Sequence, residues 1–195
     1  MKLNNDYYLL RHGESYSNLK PQWLSSAPEI KVSHLTPNGK KRILKNAKIF
    51  KMKGVDLIFA SPLQRTKETA TIIKKIIKKP VFFTPALKEI DFGIFNGLHP
   101  DVYWAYFENP IQRFNKKIPQ GENLNQCLKR ISKFFKKINK KYKNKKILII
   151  SHADILWLLE GLIKKQTKEQ MVKNYRVRLK PGEFHLFTKS AINNN

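Results

Sequence analysis

The sequence has a single cysteine, Cys127, which excludes an intrachain disulfide and any cysteine-rich metal site. Long apolar stretches are missing as well. The longest purely apolar run is Ile155–Leu159, far short of a membrane span. Residues 1–10 carry one lysine and a short apolar stretch that leads straight into Arg11-His12 without a small-residue cleavage site, so they do not read as a signal peptide. A cytoplasmic protein without a membrane partner is expected. Acidic residues are scarce: 14 Asp and Glu stand against 39 Lys and Arg, a formal net charge of +25. Such a field attracts anions, whether nucleic acid, acidic membrane or small phosphorylated molecules. Only seven of the basic residues are arginine, and the lysines are scattered along predicted helices among many Ile and Asn. Biased base composition produces that pattern as readily as a binding surface does, so the charge names no partner. Repeats and low-complexity segments are absent. What is present is a core: 41% of residues are apolar, with three Trp, seven Tyr and twelve Phe, and 195 residues suit one domain over 1–195.

Strands and helices alternate along the chain. Tyr7–Leu10 reads as a short buried strand ending in the loop Arg11-His12-Gly13. Residues 19–35 are expected to be irregular. Thr36 as N-cap and Pro37 at the first helical position open a helix that Gly54 closes. Val55–Ala60 is a second strand, Ser61-Pro62 repeats the helix-start signal for a helix to about Lys79, and Val81–Thr84 is a third strand. Residues 85–121, rich in aromatics and proline, predict loops and a short helix, with 94–121 as a lid or substrate entrance. A helix over about 122–142, a strand at Lys146–Ser151 and a helix over 153–163 follow. Pro181-Gly182 predicts a hairpin joining Tyr175–Leu179 to Glu183–Thr188. The alternation gives a three-layer α/β/α sandwich around a mainly parallel sheet.

In such a sheet, chemistry collects outside the carboxyl ends of the strands. Three predicted strands end there in polar residues: Arg11-His12, Ser61 and Ser151-His152. An arginine forks onto phosphate oxygens, and an imidazole can attack phosphorus and carry it covalently. Arg65 falls in the first turn of a helix, where a cation is unfavourable unless an anion shares the site. The helix after His152 presents free N–H groups to the same region.

Arg11-His12-Gly13-Glu14-Ser15 with Asn18 resembles the nucleophile loop of the histidine phosphatase superfamily, which includes the cofactor-dependent phosphoglycerate mutases. Residues 61–70 (SPLQRTKETA) resemble its second phosphate-binding segment, residues 87–93 (LKEIDFG) with Asn96-Gly97 its acid segment, and Ser151-His152-Ala153 its second-histidine segment. The four occur in the family's order and span residues 7 to 185. The resemblance implies a phosphoglycerate mutase-like fold in which His12 is the nucleophile. Arg11, Asn18, Arg65 and His152 hold the phosphoryl oxygens, and Glu89 protonates the leaving oxygen. Charge neutralisation by arginines and histidine needs no metal or cofactor. Nearby cations keep His12 neutral, and desolvation raises the pKa of Glu89. Asp91, two residues on, is the alternative acid; Glu89 is preferred on the family's register.

The chain departs from many relatives in having Ala153-Asp154 where glycine follows the second histidine, a change that leaves the backbone N–H available. The Gly-Trp segment of the mutases is missing after Asn18, which favours the phosphatase branch: hydrolysis of a small phosphorylated metabolite through a phosphohistidine. The alternatives are a phosphoglycerate mutase and, with no nucleic-acid motif to support it, a basic polyanion-binding module. Arg113, Lys116 and Lys117 are candidates for contact with a second anionic group, whereas His34, His99 and His185 read as structural or surface residues.

Overall fold

The expected alternation is present in the computed structural model, which describes residues 2–20, 29 and 32–190. Most of the segment expected to be irregular between 19 and 35 lies outside the described residues. The strands are β1 (Asp6–Arg11), β2 (Leu57–Ala60), β3 (Val81–Phe83), β4 (Lys146–Ser151) and β5 (Phe184–Phe187). They form one sheet in the order β3-β2-β4-β1-β5; all neighbours are parallel except β5, which runs antiparallel to β1. The helices are α1 (Pro37–Met52), α2 (Gln64–Ile77), α3 (Pro100–Ala105), α4 (Leu124–Lys141), α5 (Ala153–Ile163) and α6 (Lys168–Lys173).

The two-residue period of the strands sorts their side chains into two cores. Tyr8, Leu10, Ile58, Ala60, Leu148 and Ile150 face α1 and α2, meeting Ile43, Phe50, Ala70 and Ile73. Tyr7, Leu9, Leu57, Phe59, Ile147 and Ile149 face the other way, onto α4 and α5. β1, β2 and β4 are buried on both faces, which is why each reads as a continuous apolar run. Each fully buried aliphatic or aromatic side chain contributes roughly 1.5–3 kcal/mol relative to exposure.

Helix starts follow local chemistry. The Thr36 side chain accepts from the Gly39 N–H at 2.9 Å with Pro37 inside the first turn of α1. α4 begins at Leu124, where Asn123 and Gln126 satisfy each other's backbone N–H groups. α2 starts at Gln64, later than Ser61-Pro62 suggested. Residues 61–63 first make a turn in which the Ser61 hydroxyl accepts from the Leu63 N–H at 3.3 Å.

The expected hairpin does not form. β5 does lie at the sheet edge, but it pairs with β1, and residues 175–177 make a single 3₁₀ turn instead of a strand. The physical reason is competition from side chains and backbone that point elsewhere. Arg178 reaches Asp154, and the Leu179 carbonyl accepts from Arg11 Nη1 at 2.8 Å. Residues 85–121 comprise three 3₁₀ turns and α3, and their aromatics are packed. Phe92, Phe95, Tyr103, Phe107 and Phe114 belong to the core that holds α4 and α5.

Candidate active site

β1, β4 and β2 are adjacent, parallel and in register, with Arg11 opposite Ser151 and Ala60 opposite Ile150. Their carboxyl ends therefore lie side by side, and the residues immediately beyond them share one cleft. His12 follows β1, Ser61 follows β2 and His152 follows β4. A cavity of about 380 Å³ opens there, with His12, Arg11, Asn18, Arg65 and Glu89 in its lining, whereas Ser61 and His152 are fully buried and lie outside that lining.

The loop that carries His12 is held from below by α1. The Glu14 carbonyl accepts from the Thr36 N–H at 2.9 Å, and the Thr36 hydroxyl bonds the Glu14 carboxylate at 2.6 Å. Approach is so close that a Cβ on Gly39 would stand 2.1 Å from the Glu14 carbonyl oxygen, and one on Gly13 would stand 2.8 Å from Ile43. The Gly13 N–H donates to Thr69 Oγ1 on α2 at 3.1 Å, tying the loop to the second helix.

His12 is buried, and its tautomer follows from its partners. Nδ1 lies 2.8 Å from the Gly13 carbonyl oxygen, which can only accept, so Nδ1 carries the proton. Nε2 is then a lone pair, and it accepts from Arg65 Nε at 3.2 Å. Burial holds the His12 pKa well below its ordinary value, with the Arg65 and Arg11 cations acting in the same direction. His152 packs edge-on to His12, ring centroids 5.2 Å apart, with its Nε2 2.8 Å from Ser61 Oγ. Its pKa is likewise well depressed, by burial first and then by Arg65, His12 and Arg11. Among the described residues, two buried polar atoms around His12 have no hydrogen-bond partner: Arg11 Nε and His152 Nδ1. Such orphans are costly in a protein interior unless an anion or water supplies the missing partner.

Arg65 also pairs with Glu29, Nη1 to Oε1 at 2.8 Å, and the second Glu29 oxygen accepts from the Gln64 N–H at 3.0 Å. This carboxylate on Arg65 was not visible in the sequence pattern. Asn18 accepts from the Ser15 N–H and Ser15 Oγ, both at 3.0 Å, through Oδ1, which directs its amide nitrogen away from the loop.

Glu89 is buried, and its pKa is raised to about 7, mainly by desolvation and then by Asp154, against the lowering influence of Arg65, the Ile90 N–H and Arg11. Asp91 lies outside the cavity lining and accepts from the Gly93 N–H at 2.9 Å, closing a turn. Asp154, in the first turn of α5, bonds both Arg113 (2.7 Å) and Arg178. Burial would raise its pKa, but those two guanidiniums outweigh it and hold the carboxylate ionised. Arg178, Tyr175 and Glu29 are site residues that sequence reasoning missed; Asp154 was noticed only as a departure. His34, His99 and His185 pair with Glu68, Asp101 and Glu160 at exposed positions. No described helix is long and apolar enough to cross a membrane.

A buried neutral imidazole with an unprotonated Nε2, held by an arginine N–H and backed by a carboxyl that keeps its proton near neutrality, has the groups needed to attack phosphorus and protonate a leaving group. Comparison with known proteins agrees. An uncharacterized phosphatase of Bacillus subtilis, PhoE, is 31% identical over 148 residues, covering 74% of this chain and 70% of its own. The structure of the alpha-ribazole phosphatase from Shigella flexneri superposes with a TM-score of 0.76 at 25% identity, over 93% of this chain and 89% of that one. A phosphoserine phosphatase from Entamoeba histolytica, solved with 3-phosphoglyceric acid, gives 0.76 at 22% identity, over 94% and 90%. The family model of the histidine phosphatase superfamily, branch 1, matches residues 7–179, a span that takes in the His12 loop, the Arg65 helix, Glu89 and His152. With a family model matched over most of its length, the chain belongs to the histidine phosphatase superfamily.

Proposed function

We propose that the protein hydrolyses small phosphate monoesters through a phosphohistidine formed on His12, within one domain in which residues 94–121 wall the substrate entrance. The observation that carries this reading is the state of His12: protonated on Nδ1, neutral, and offering Nε2 to the cavity beside Arg65.

In the first step Nε2 attacks phosphorus and the ester P–O bond breaks. Glu89, protonated below about pH 7, gives its proton to the departing oxygen. Stabilisation of the three equatorial oxygens falls to Arg11, Arg65 and Asn18, which line the cavity, and to His152, which is buried against His12; the orphaned Arg11 Nε and His152 Nδ1 are donors or acceptors without a partner among the described residues. Arg65 Nε moves from Nε2 to a phosphoryl oxygen as the N–P bond forms. In the second step ionised Glu89 takes a proton from water, the water oxygen attacks phosphorus, the N–P bond breaks, and inorganic phosphate leaves. Every proton is accounted for by Glu89, and no redox partner enters.

The test is hydrolysis of p-nitrophenyl phosphate with EDTA present, beside His12→Ala. Turnover that survives the chelator and falls by at least about 10³-fold in the variant supports the scheme; equal activity in the two proteins overturns it. Accumulation of a phosphoglycerate isomer after priming with 2,3-bisphosphoglycerate would instead mark a mutase.

A further inference from the structure

Beyond the phosphoryl cradle the cavity continues toward a second basic cluster built around Asp154. Arg113 is buried, with Nη2 on Asp154 at 2.7 Å and Nε on the Tyr103 hydroxyl at 3.3 Å, and its guanidinium lies 4.6 Å and 4.7 Å from the ring centroids of Trp104 and Tyr175. Its side chain is buried, 2% exposed, although it too lines the cavity. Arg178 stacks on Tyr175: its guanidinium sits 3.6 Å from the ring centroid, Nε donates to the Tyr175 carbonyl at 3.0 Å, and Nη1 donates to Asp154. Nη2 of Arg178 finds no acceptor among the described residues, its side chain is 30% exposed, and it lines the cavity. Two guanidiniums sharing one carboxylate leave one positive charge uncompensated. The carboxylate and the aromatic ring fix the fork of a residue that lines the same cavity as His12, Arg11 and Arg65.

Resting on the phosphatase reading above, we propose that Arg178 forms a second anion subsite, so that the preferred substrate carries a further acidic group, a carboxylate or a second phosphoryl, on the part remote from the reacting phosphate. The other cations that the sequence offered for this role are less exposed to the cavity, engaged elsewhere or outside its lining. Lys116 donates to the Tyr106 carbonyl at 2.7 Å and lies over that ring, Arg113 is buried against Asp154, and Lys117 does not line the cavity. The fork geometry of arginine suits either anion through paired N–H donors.

The probes are 3-phosphoglycerate and glycerol 3-phosphate, which differ only in carboxylate against hydroxymethyl, and propane-1,3-diol bisphosphate against its monophosphate. In the wild type, kcat/KM should favour the doubly acidic member of at least one pair by about tenfold or more. Which pair shows the preference distinguishes carboxylate from phosphoryl. Arg178→Met, which keeps the stem on Tyr175, should bring the ratio to within about twofold by raising KM for the acidic member, and Arg178→Lys should keep part of it. A ratio cancels any general loss of activity. Calorimetric binding of the same pairs to the His12→Ala protein gives the preference without turnover. Preference without any hydrolysis by the wild type would sink the phosphatase reading and keep the subsite. Hydrolysis with no preference in either pair, or a preference undiminished in Arg178→Met, overturns the subsite alone.

Discussion

At the residue scale, the cleft separates two proton roles by environment. His12 is stripped of water among cations and stays neutral, whereas Glu89 is stripped of water near another carboxylate and keeps its proton to about pH 7. The acid limb of the chemistry can be isolated through the leaving group. In Glu89→Gln, kcat/KM should fall by roughly 10²-fold or more for an alkyl phosphate, whose alkoxide needs a proton, and much less for p-nitrophenyl phosphate, whose phenolate does not. If Glu89 is the donor, the wild-type kcat/KM for the alkyl ester should decline as pH rises through about 7, where Glu89 loses its proton. If Asp91→Asn shows the leaving-group-dependent loss instead, the acid is Asp91. His12, Arg11 and His152 were legible because apolar runs fix where strands end, and the residues just past those ends are forced into one cleft. Arg178 and Glu29 were not, since nothing near them in the chain announces that they meet Asp154 and Arg65; only the closed fold supplies those partners.

At the element scale, α1 acts as the floor of the loop that carries His12. Its N-cap Thr36 is bonded to Glu14, and Gly39 lets the loop backbone settle against the helix. Gly39→Ala should therefore be costly even though alanine favours helices. A methyl 2.1 Å from the Glu14 carbonyl forces backbone apart, destabilising the protein by about 1–3 kcal/mol and moving His12 off its line of attack. Thermal melts should show the lost stability, and kcat should fall with it; an unchanged kcat would show that the loop position does not matter. The helices and inner strands were readable from period and capping signals. The hairpin at Pro181-Gly182 was not, because turn chemistry says that a chain reverses and is silent on which strand it then joins. β5 found β1, and residues 175–179 were drawn to the cleft.

At the scale of the whole molecule, the buried titratable groups set how stability responds to pH. His12 and His152 have ordinary values near 6.5 when unfolded and far lower values when folded, so below about 6.5 the unfolded chain holds two protons that the native protein lacks. Glu89 works the other way: between 4.5 and about 7 the native protein holds one proton that the unfolded chain has lost. Two against one leaves stability falling as pH drops from about 6.5 toward 4.5. The melting temperature should be lower at pH 5 than at pH 7, and His12→Asn should narrow the gap; the same gap in both proteins would remove His12 from this account.

The sheet order also sets a timetable for synthesis. β1 is made first, yet both of its neighbours, β4 and β5, come from beyond residue 145. At ribosomal rates of about 5–20 residues per second, the strand that carries His12 waits roughly ten seconds after β2 is complete before any partner exists. Its apolar edge is open throughout, so a chain stalled or cleaved before residue 146 leaves the ribosome without the strand that joins its two halves, and is a natural target for chaperones and proteases. Assembly of the cleft coincides with the arrival of β4.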